Sequence, residues 1–278
     1  MKVLTQRPAG PVLQVRNLCL RFGGIEALAD VSFSVEPGSI TALIGPNGAG
    51  KTSLFNCVSG FYKPFSGEIL FEGKDITRTA PPMRAKLGLA RSFQNIALFR
   101  GMTVLENIKL GRHSHMRSNL LDGLFYWGRA RKEEEALSAE IDDKIIGLLD
   151  IASIRDEPVA NLPYGLRKRV ELARALAMHP RVLLLDEPVA GMNREETEDI
   201  ARFILKIREE WDLTVLMVEH DMGMVMDISD HVVVLSFGKV IAQGRPEDIQ
   251  NNPEVISAYL GQDAAGQLAL PAAQLEVV

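Results

Sequence analysis

The sequence reads as an α/β protein built on a mainly parallel β-sheet, and three observations carry that reading. In the last third, the apolar runs Val182–Leu185 and Leu213–Val218 flank a stretch whose Ile200, Phe203, Ile204 and Ile207 share one helical face. Such strand-helix-strand order implies parallel strands joined by right-handed crossovers. The first third alternates apolar and polar residues between turn signals, the pattern of half-buried strands. The middle third switches to helical spacing. Composition agrees with a globular chain: of 278 residues, 46% are hydrophobic and 24% charged, with a formal net charge of -5. That balance excludes a disordered chain, a collagen-like chain and a disulfide-dense miniprotein. It also disfavours a globally basic nucleic-acid binder, so no nucleic-acid partner is expected.

Taken in order, Val31, Phe33 and Val35 predict a strand that stops at Pro37-Gly38. Ile40–Ile44 follows as a short apolar run, as expected of a strand buried on both faces. Ser53 to Val58 can continue as a helix, and Ile69 and Phe71 predict a further strand after Ser66-Gly67. From about Leu105 to Ile154 the spacing predicts helix, with Ile141, Ile145, Leu148 and Leu149 on one face. Leu120 to Lys132 interrupts it with Phe125-Tyr126-Trp127 followed by Arg129, Arg131 and Lys132. This reads as a packed loop with a basic edge, the alternative being a contact surface for a membrane or partner protein. His179 before Pro180 is expected to end a helix. The tail after Gly261 is either frayed or a short docking segment.

Cys19 and Cys57 are too few for a disulfide framework and lack C-x-x-C spacing, so they read as idle thiols. His113 and His115 form an H-x-H pair without a third ligand, and no metal is assigned to them. No apolar run reaches the roughly 18 residues of a membrane span. Met1 to Pro11 lacks the apolar core of a secretory signal. A soluble, cytoplasmic protein is expected.

The chemistry begins at Gly45-Pro46-Asn47-Gly48-Ala49-Gly50-Lys51-Thr52, which fits the phosphate-binding pattern G-x-x-x-x-G-K-[ST]. The glycines let the backbone wrap so that N–H groups face phosphate oxygens, with Asn47, Gly48, Ala49, Gly50 and Ser53 part of the cradle. Lys51 places a charge against the β/γ phosphates, and the Thr52 hydroxyl suits Mg²⁺. Val182 to Asp186 then ends a buried strand in a carboxylate, at the edge where an open α/β sheet binds ligands. Asp186 can hold Mg²⁺ through its water shell. Glu187 can orient or deprotonate an attacking water. These residues argue for a nucleoside triphosphatase.

Asn161-Leu162-Pro163-Tyr164-Gly165-Leu166-Arg167 and the helix running on to Ala173-Arg174-Ala175-Leu176 resemble the signature motif of ABC-type ATPases. The resemblance spans about Leu13 to Gly261. It implies a P-loop core with a mainly parallel sheet, an antiparallel β subdomain on the N-terminal side and an inserted α-helical subdomain. The implied ATPase domain runs over 12–262, with the helical part at about 95–177 and a tail at 263–278. By position, the resemblance implies Phe22 as the adenine-stacking aromatic and Gln94 as γ-phosphate sensor and Mg²⁺ ligand. It likewise makes His220 the switch histidine. Pro163, Tyr164 and Gly165 then face the ATP of a second ATPase subunit. Catalysis falls to Glu187, His220 and Gln94, with ATP and Mg²⁺ required.

Ser92-Phe93-Gln94-Asn95, the L-P-Y-G signature and Glu187-Pro188-Val189-Ala190-Gly191-Met192-Asn193 are similar to the ATPase subunits of bacterial branched-chain amino-acid importers. Importers of urea or amides, or a lipopolysaccharide exporter, are the neighbouring alternatives. The resemblance implies separate membrane permease subunits and a second ATPase subunit, identical or related. Membrane contact would come only through the permease, on the inner face of the bacterial cell membrane. A soluble ABC ATPase of DNA or ribosome metabolism is disfavoured, because there are no sustained heptads and only one phosphate loop. In two places the chain departs from the family pattern: Pro163 stands where the general family has Ser, and Leu166 where Gln is usual. Both thin out the expected contacts to the γ-phosphate. The apolar residues Phe99, Met102 and Val104 are expected to form the permease surface.

Overall fold

The computed structural model describes residues 10–92, 98–112 and 138–260. Ten strands make two sheets. β1 (Leu13–Phe22), β2 (Ile25–Val35), β4 (Ser66–Phe71) and β5 (Lys74–Asp75) form an antiparallel sheet in the order β2-β1-β4-β5. β3 (Ile40–Ile44), β6 (Leu89–Arg91), β7 (Val182–Asp186), β8 (Thr214–Val218), β9 (His231–Ser236) and β10 (Lys239–Gly244) form the larger one. Its order is β10-β9-β3-β8-β7-β6, and every pairing is parallel except that of β10 with β9. β3, β7 and β8 are buried along their whole length, as their unbroken apolar runs require.

The helices are α1 (Lys51–Ser59), α2 (Pro81–Leu87), α3 (Val104–Arg112), α4 (Tyr164–Leu176), α5 (Arg194–Trp211), α6 (Met222–Ile228), α7 (Pro246–Gln250) and α8 (Pro253–Leu260). α5 starts at a capping box in which Asn193 and Glu196 exchange side-chain and backbone hydrogen bonds. It buries the four residues of the expected face, Ile200, Phe203, Ile204 and Ile207. Each contributes roughly 2 kcal/mol of apolar burial.

The helical spacing expected from about Leu105 to Ile154, with its interruption at Leu120 to Lys132, is not regular α-helix throughout the described residues. After helix α3, α-helical residues 138–141 pass into a π-helical turn at Asp142–Ile146, and a 3-10 turn follows at Ala152–Ile154. The wider π turn shifts the helix face, so that the adjacent Ile145 and Ile146 are both buried beside Ile141, Leu148 and Leu149. His179 closes the last turn after helix α4, its N–H donating to the Leu176 carbonyl at 2.8 Å. Helix α4 ends at Leu176, and His179 lies beyond it with φ 50, its ring stacked 5.7 Å from that of Trp211. Gln94, His113, His115, the Phe125-Tyr126-Trp127 stretch and the tail after Leu260 lie outside the described residues.

One buried charge fixes the core helix. Arg84 is 1% exposed, and its guanidinium donates to the carbonyls of Cys57, Val58, Ile76, Thr77 and Thr79 at 2.6 to 3.0 Å. Two of these carbonyls lie in the last turn of α1, where helix acceptors otherwise lack partners. Burial pulls the Arg84 pKa down to about 10, which still leaves it charged at neutral pH. The same burial pushes the Cys57 thiol up to about 12, so Cys57 is the idle thiol expected of it.

Candidate functional site

All the parallel strands end at one edge of the large sheet, and the residues expected to carry chemistry gather there. Gly45 follows β3, Arg91 ends β6, Asp186 ends β7, and Glu219-His220 follow β8. That edge is where a parallel α/β sheet offers its ligand crevice.

The loop from Gly45 to α1 is held close against its neighbours. A Cβ on Gly45, whose φ is 149, would lie 2.1 Å from the Leu235 carbonyl oxygen. One on Gly50, with φ 103, would lie 2.8 Å from that of Ala27. No other residue fits either position. Asn47, Gly48 and Thr52 form an exposed rim, with Ser53 half-buried behind them and Ala49 buried. Lys51 is buried, and its Nζ donates to the Gly45 and Pro46 carbonyls at 2.5 and 3.1 Å. Desolvation lowers its pKa, and the nearby charge of Glu187 opposes that shift. A cation curled under a glycine loop at a helix N-terminus, with no acidic residue in the first turn, is built for an anion.

Glu187 follows β7 with φ 48, a left-handed conformation that strains a side chain of its size. Its backbone N–H donates to the Val218 carbonyl at 2.9 Å, which fixes the turn against β8. Asp186 is almost fully buried, and its Oδ2 lies 2.6 Å from Arg91 Nη2. His220 is exposed at the end of β8. Its loop is held by Glu219, which is fully buried and accepts from the N–H groups of His220, Asp221 and Val189 at 2.8 to 3.1 Å. Glu219 thus ties the turn after Glu187 to the loop of His220. Sequence reading missed Glu219 and Arg91. Glu219 stands just after an apolar run, which is a local signal, whereas the short strand that Arg91 ends gives none.

Phe22 closes β1 with its ring half exposed, in edge-to-face contact with Tyr62 at 5.3 Å. Pro163, Tyr164 and Gly165 stand at the start of α4. Pro163 and Tyr164 are exposed, and Gly165 is buried against Glu196 of α5. The Tyr164 hydroxyl donates to the Ala190 carbonyl at 3.1 Å. Phe99 is exposed and Met102 half-buried, but Val104 is fully buried in the core. The expected apolar surface therefore consists of Phe99 and Met102 without Val104.

Among the described residues, no cluster of three or more His, Cys, Asp or Glu could hold a metal ion alone. The oxygen donors present are Thr52 and Asp186, a set that suits a hard cation sharing its shell with water and phosphate. No helix among the described residues is long and apolar enough to cross a membrane.

The family model described as ABC transporter matches residues 28–190. The model described as branched-chain amino acid ATP-binding cassette transporter matches residues 239–265. The chain is 42% identical over 252 residues to the high-affinity branched-chain amino acid transport ATP-binding protein BraF of Pseudomonas aeruginosa, covering 91% of this chain and 98% of that one. It is 42% identical over 254 residues to the corresponding protein LivG of Escherichia coli K12, with the same coverage. Among solved structures, an ATP-binding cassette in its ADP conformation superposes with a TM-score of 0.79 at 35% identity, covering 91% of this chain and all of that one. A nucleotide-free cassette superposes at 0.78, also at 35% identity, with 93% of this chain covered.

Proposed function

We infer, for a chain that belongs to the ABC transporter family as an ATP-binding subunit, that it powers an importer of branched-chain or related amino acids. Its activity is ATP hydrolysis coupled to transport. The observation that carries this reading is the convergence of Lys51, Asp186-Glu187 and His220 on one sheet edge, with Pro163–Gly165 opening α4 against the segment that follows Glu187. The solute class rests on the relatives, both named as branched-chain amino acid transport proteins.

On this reading Phe22 stacks on adenine and Asn47 to Ser53 cradle the phosphates. Lys51 leaves its two carbonyl acceptors to meet the β/γ phosphates. Glu187 takes the proton of the attacking water, and His220 and Gln94 contact the γ-phosphate. Thr52, Asp186 and Gln94 would hold Mg²⁺, which when bound neutralises phosphate charge. Pro163, Tyr164 and Gly165 face the ATP of a second ATPase subunit, identical or related, with the helix N-terminus of α4 favouring the anion. The ATPase domain is 12–262, with 95–177 as its helical part and 263–278 as a tail.

Membrane permease subunits complete the transporter, and the chain sits on the inner face of the cell membrane through them alone. Phe99, exposed between β6 and α3, supports a docking site for the permease. The test is uptake of labelled leucine by cells lacking this chain. Wild type should restore uptake, whereas Phe99→Asp should hydrolyse ATP but neither restore uptake nor co-purify with the permease. Uptake unaffected by loss of the chain refutes the solute class, and normal uptake by Phe99→Asp refutes the docking site.

A further inference from the structure

Arg91 is the last residue of β6 and lies three positions before Gln94 in the sequence. Its guanidinium is engaged from two sides. Nη2 meets Asp186 Oδ2 at 2.6 Å, and Nη1 donates to Asn56 Oδ1 at 2.7 Å and Ser59 Oγ at 2.8 Å. Phe55 lies beneath it, ring centroid 5.0 Å away, with Phe61 at 5.6 Å. Both members of the ion pair are nearly buried, at 11% and 6% side-chain exposure. Asn56, Ser59 and Phe55 all belong to α1, the helix that opens with Lys51 and Thr52. Arg91 therefore bolts the carboxylate at the end of β7 to the helix that carries the phosphate loop.

A planar guanidinium with fixed donors can set a carboxylate's rotation as a lysine cannot. The bond occupies one oxygen of Asp186 and leaves Oδ1 for a metal's water shell. We propose that Arg91 is a positioning residue for the metal: it orients Asp186 relative to Thr52 so that the two act on one Mg²⁺. This rests on the reading of Asp186 as a metal residue. Buried charge pairs are costly to make and are strongly felt when one member is removed, so a pair at this edge is well suited to specify geometry. The hydrogen bonds to α1 keep the guanidinium in register, and the aromatic rings exclude water from it.

The experiment is calorimetric titration of the purified chain with ADP, with and without Mg²⁺, alongside thermal melting. In the wild type Mg²⁺ should tighten ADP binding. In Arg91→Ala and Arg91→Gln that Mg²⁺-dependent gain should fall about tenfold, the size of one charge-assisted hydrogen bond. Mg²⁺-free ADP affinity should stay within about twofold, because Lys51 and the loop are untouched. Arg91→Lys should recover part of the gain. Asn56→Ala and Ser59→Ala, which only loosen the guanidinium, should show a smaller loss in the same direction, and they decide the matter if the Arg91 variants do not fold.

Asp186→Asn separates the two levels of the reading. If it keeps the full Mg²⁺ gain, the metal role of Asp186 fails. If it loses the gain while Arg91→Ala and Arg91→Gln keep it, Asp186 stands and the positioning role fails. A larger Mg²⁺ gain in Arg91→Ala would mean that the guanidinium competes with the metal, which also overturns the proposal. Equal losses with and without Mg²⁺ would mark Arg91 as purely structural.

Discussion

The loop between β3 and α1 is anchored by its own chain beneath an exposed rim of Asn47, Gly48 and Thr52, whereas the turn at Pro163–Gly165 buries Gly165 and exposes Pro163 and Tyr164. Gly45 and Gly50 approach the carbonyls of Leu235 and Ala27 too closely for any Cβ, Lys51 is buried, and Arg84 closes the far end of α1. The Pro163 turn is tied by Tyr164 to Ala190 and by Gly165 packed against Glu196. On the proposed function the first is a finished half-site and the second an unfinished one. A loop completed within one chain needs its small residues where backbone meets backbone. A turn that completes a neighbour's site leaves its contact groups uncovered until the neighbour arrives.

Substitutions can break this contrast, and the largest effect should come from the finished half. Lys51→Ala should lower ATP hydrolysis at least about 10²- to 10³-fold while the melting temperature barely moves, since the loop backbone holds itself. Substantial hydrolysis by the purified variant would remove the nucleotide assignment. Next is Arg84→Met, which removes the guanidinium donor from the buried Val58 carbonyl at the end of α1 and one of two donors from that of Cys57. It should destabilise the chain by about 3 kcal/mol, read from denaturant unfolding. A loss under about 1 kcal/mol would show that α1 needs no such clamp.

The unfinished half should tolerate change and even improve. Pro163→Ser with Leu166→Gln restores side chains usual in the family and should raise ATP turnover a few-fold, equivalent to about 1 kcal/mol for one hydrogen bond. Loss of activity in both single variants would show that the present residues are tuned for their place. Tyr164→Phe removes only the bond to Ala190, at an exposed site, and should change turnover by less than about threefold. A tenfold loss would make the turn as rigidly specified as the loop, and the contrast would fail.

Legibility in the sequence follows the same division. Gly45 to Thr52 could be read because close backbone approach demands glycine at fixed spacing, and β7 because an apolar run ending in two carboxylates is a local pattern. The burial of β3, β7 and β8 followed from their apolar runs and their parallel pairing from the alternation of strand and helix, but their order did not. Arg91 with Asp186 and Glu219 with Val189 could not be read, because each joins residues far apart in the chain whose meeting depends on strand order. Local periodicity carries no such information. The π turn at Asp142–Ile146 escaped for another reason: it breaks the regular helical spacing on which the expected face of Ile141, Ile145, Leu148 and Leu149 rested. Val104 was misplaced on the surface because an apolar residue at a helix start looks the same whether it faces a partner or the core.

The most direct test of the two-half site is the mass of Glu187→Gln in solution. The substitution keeps the size of the side chain and removes its charge, so the variant should fold and bind ATP with Mg²⁺. Hydrolysis should drop roughly 10²- to 10⁴-fold, the contribution of a general base. Light scattering should then show the mass doubling in ATP and returning to the monomer value in ADP, either alone or mixed with a related ATPase subunit. Lost hydrolysis with the same monomer mass in ATP and ADP, in both mixtures, would contradict a site completed by a second protomer.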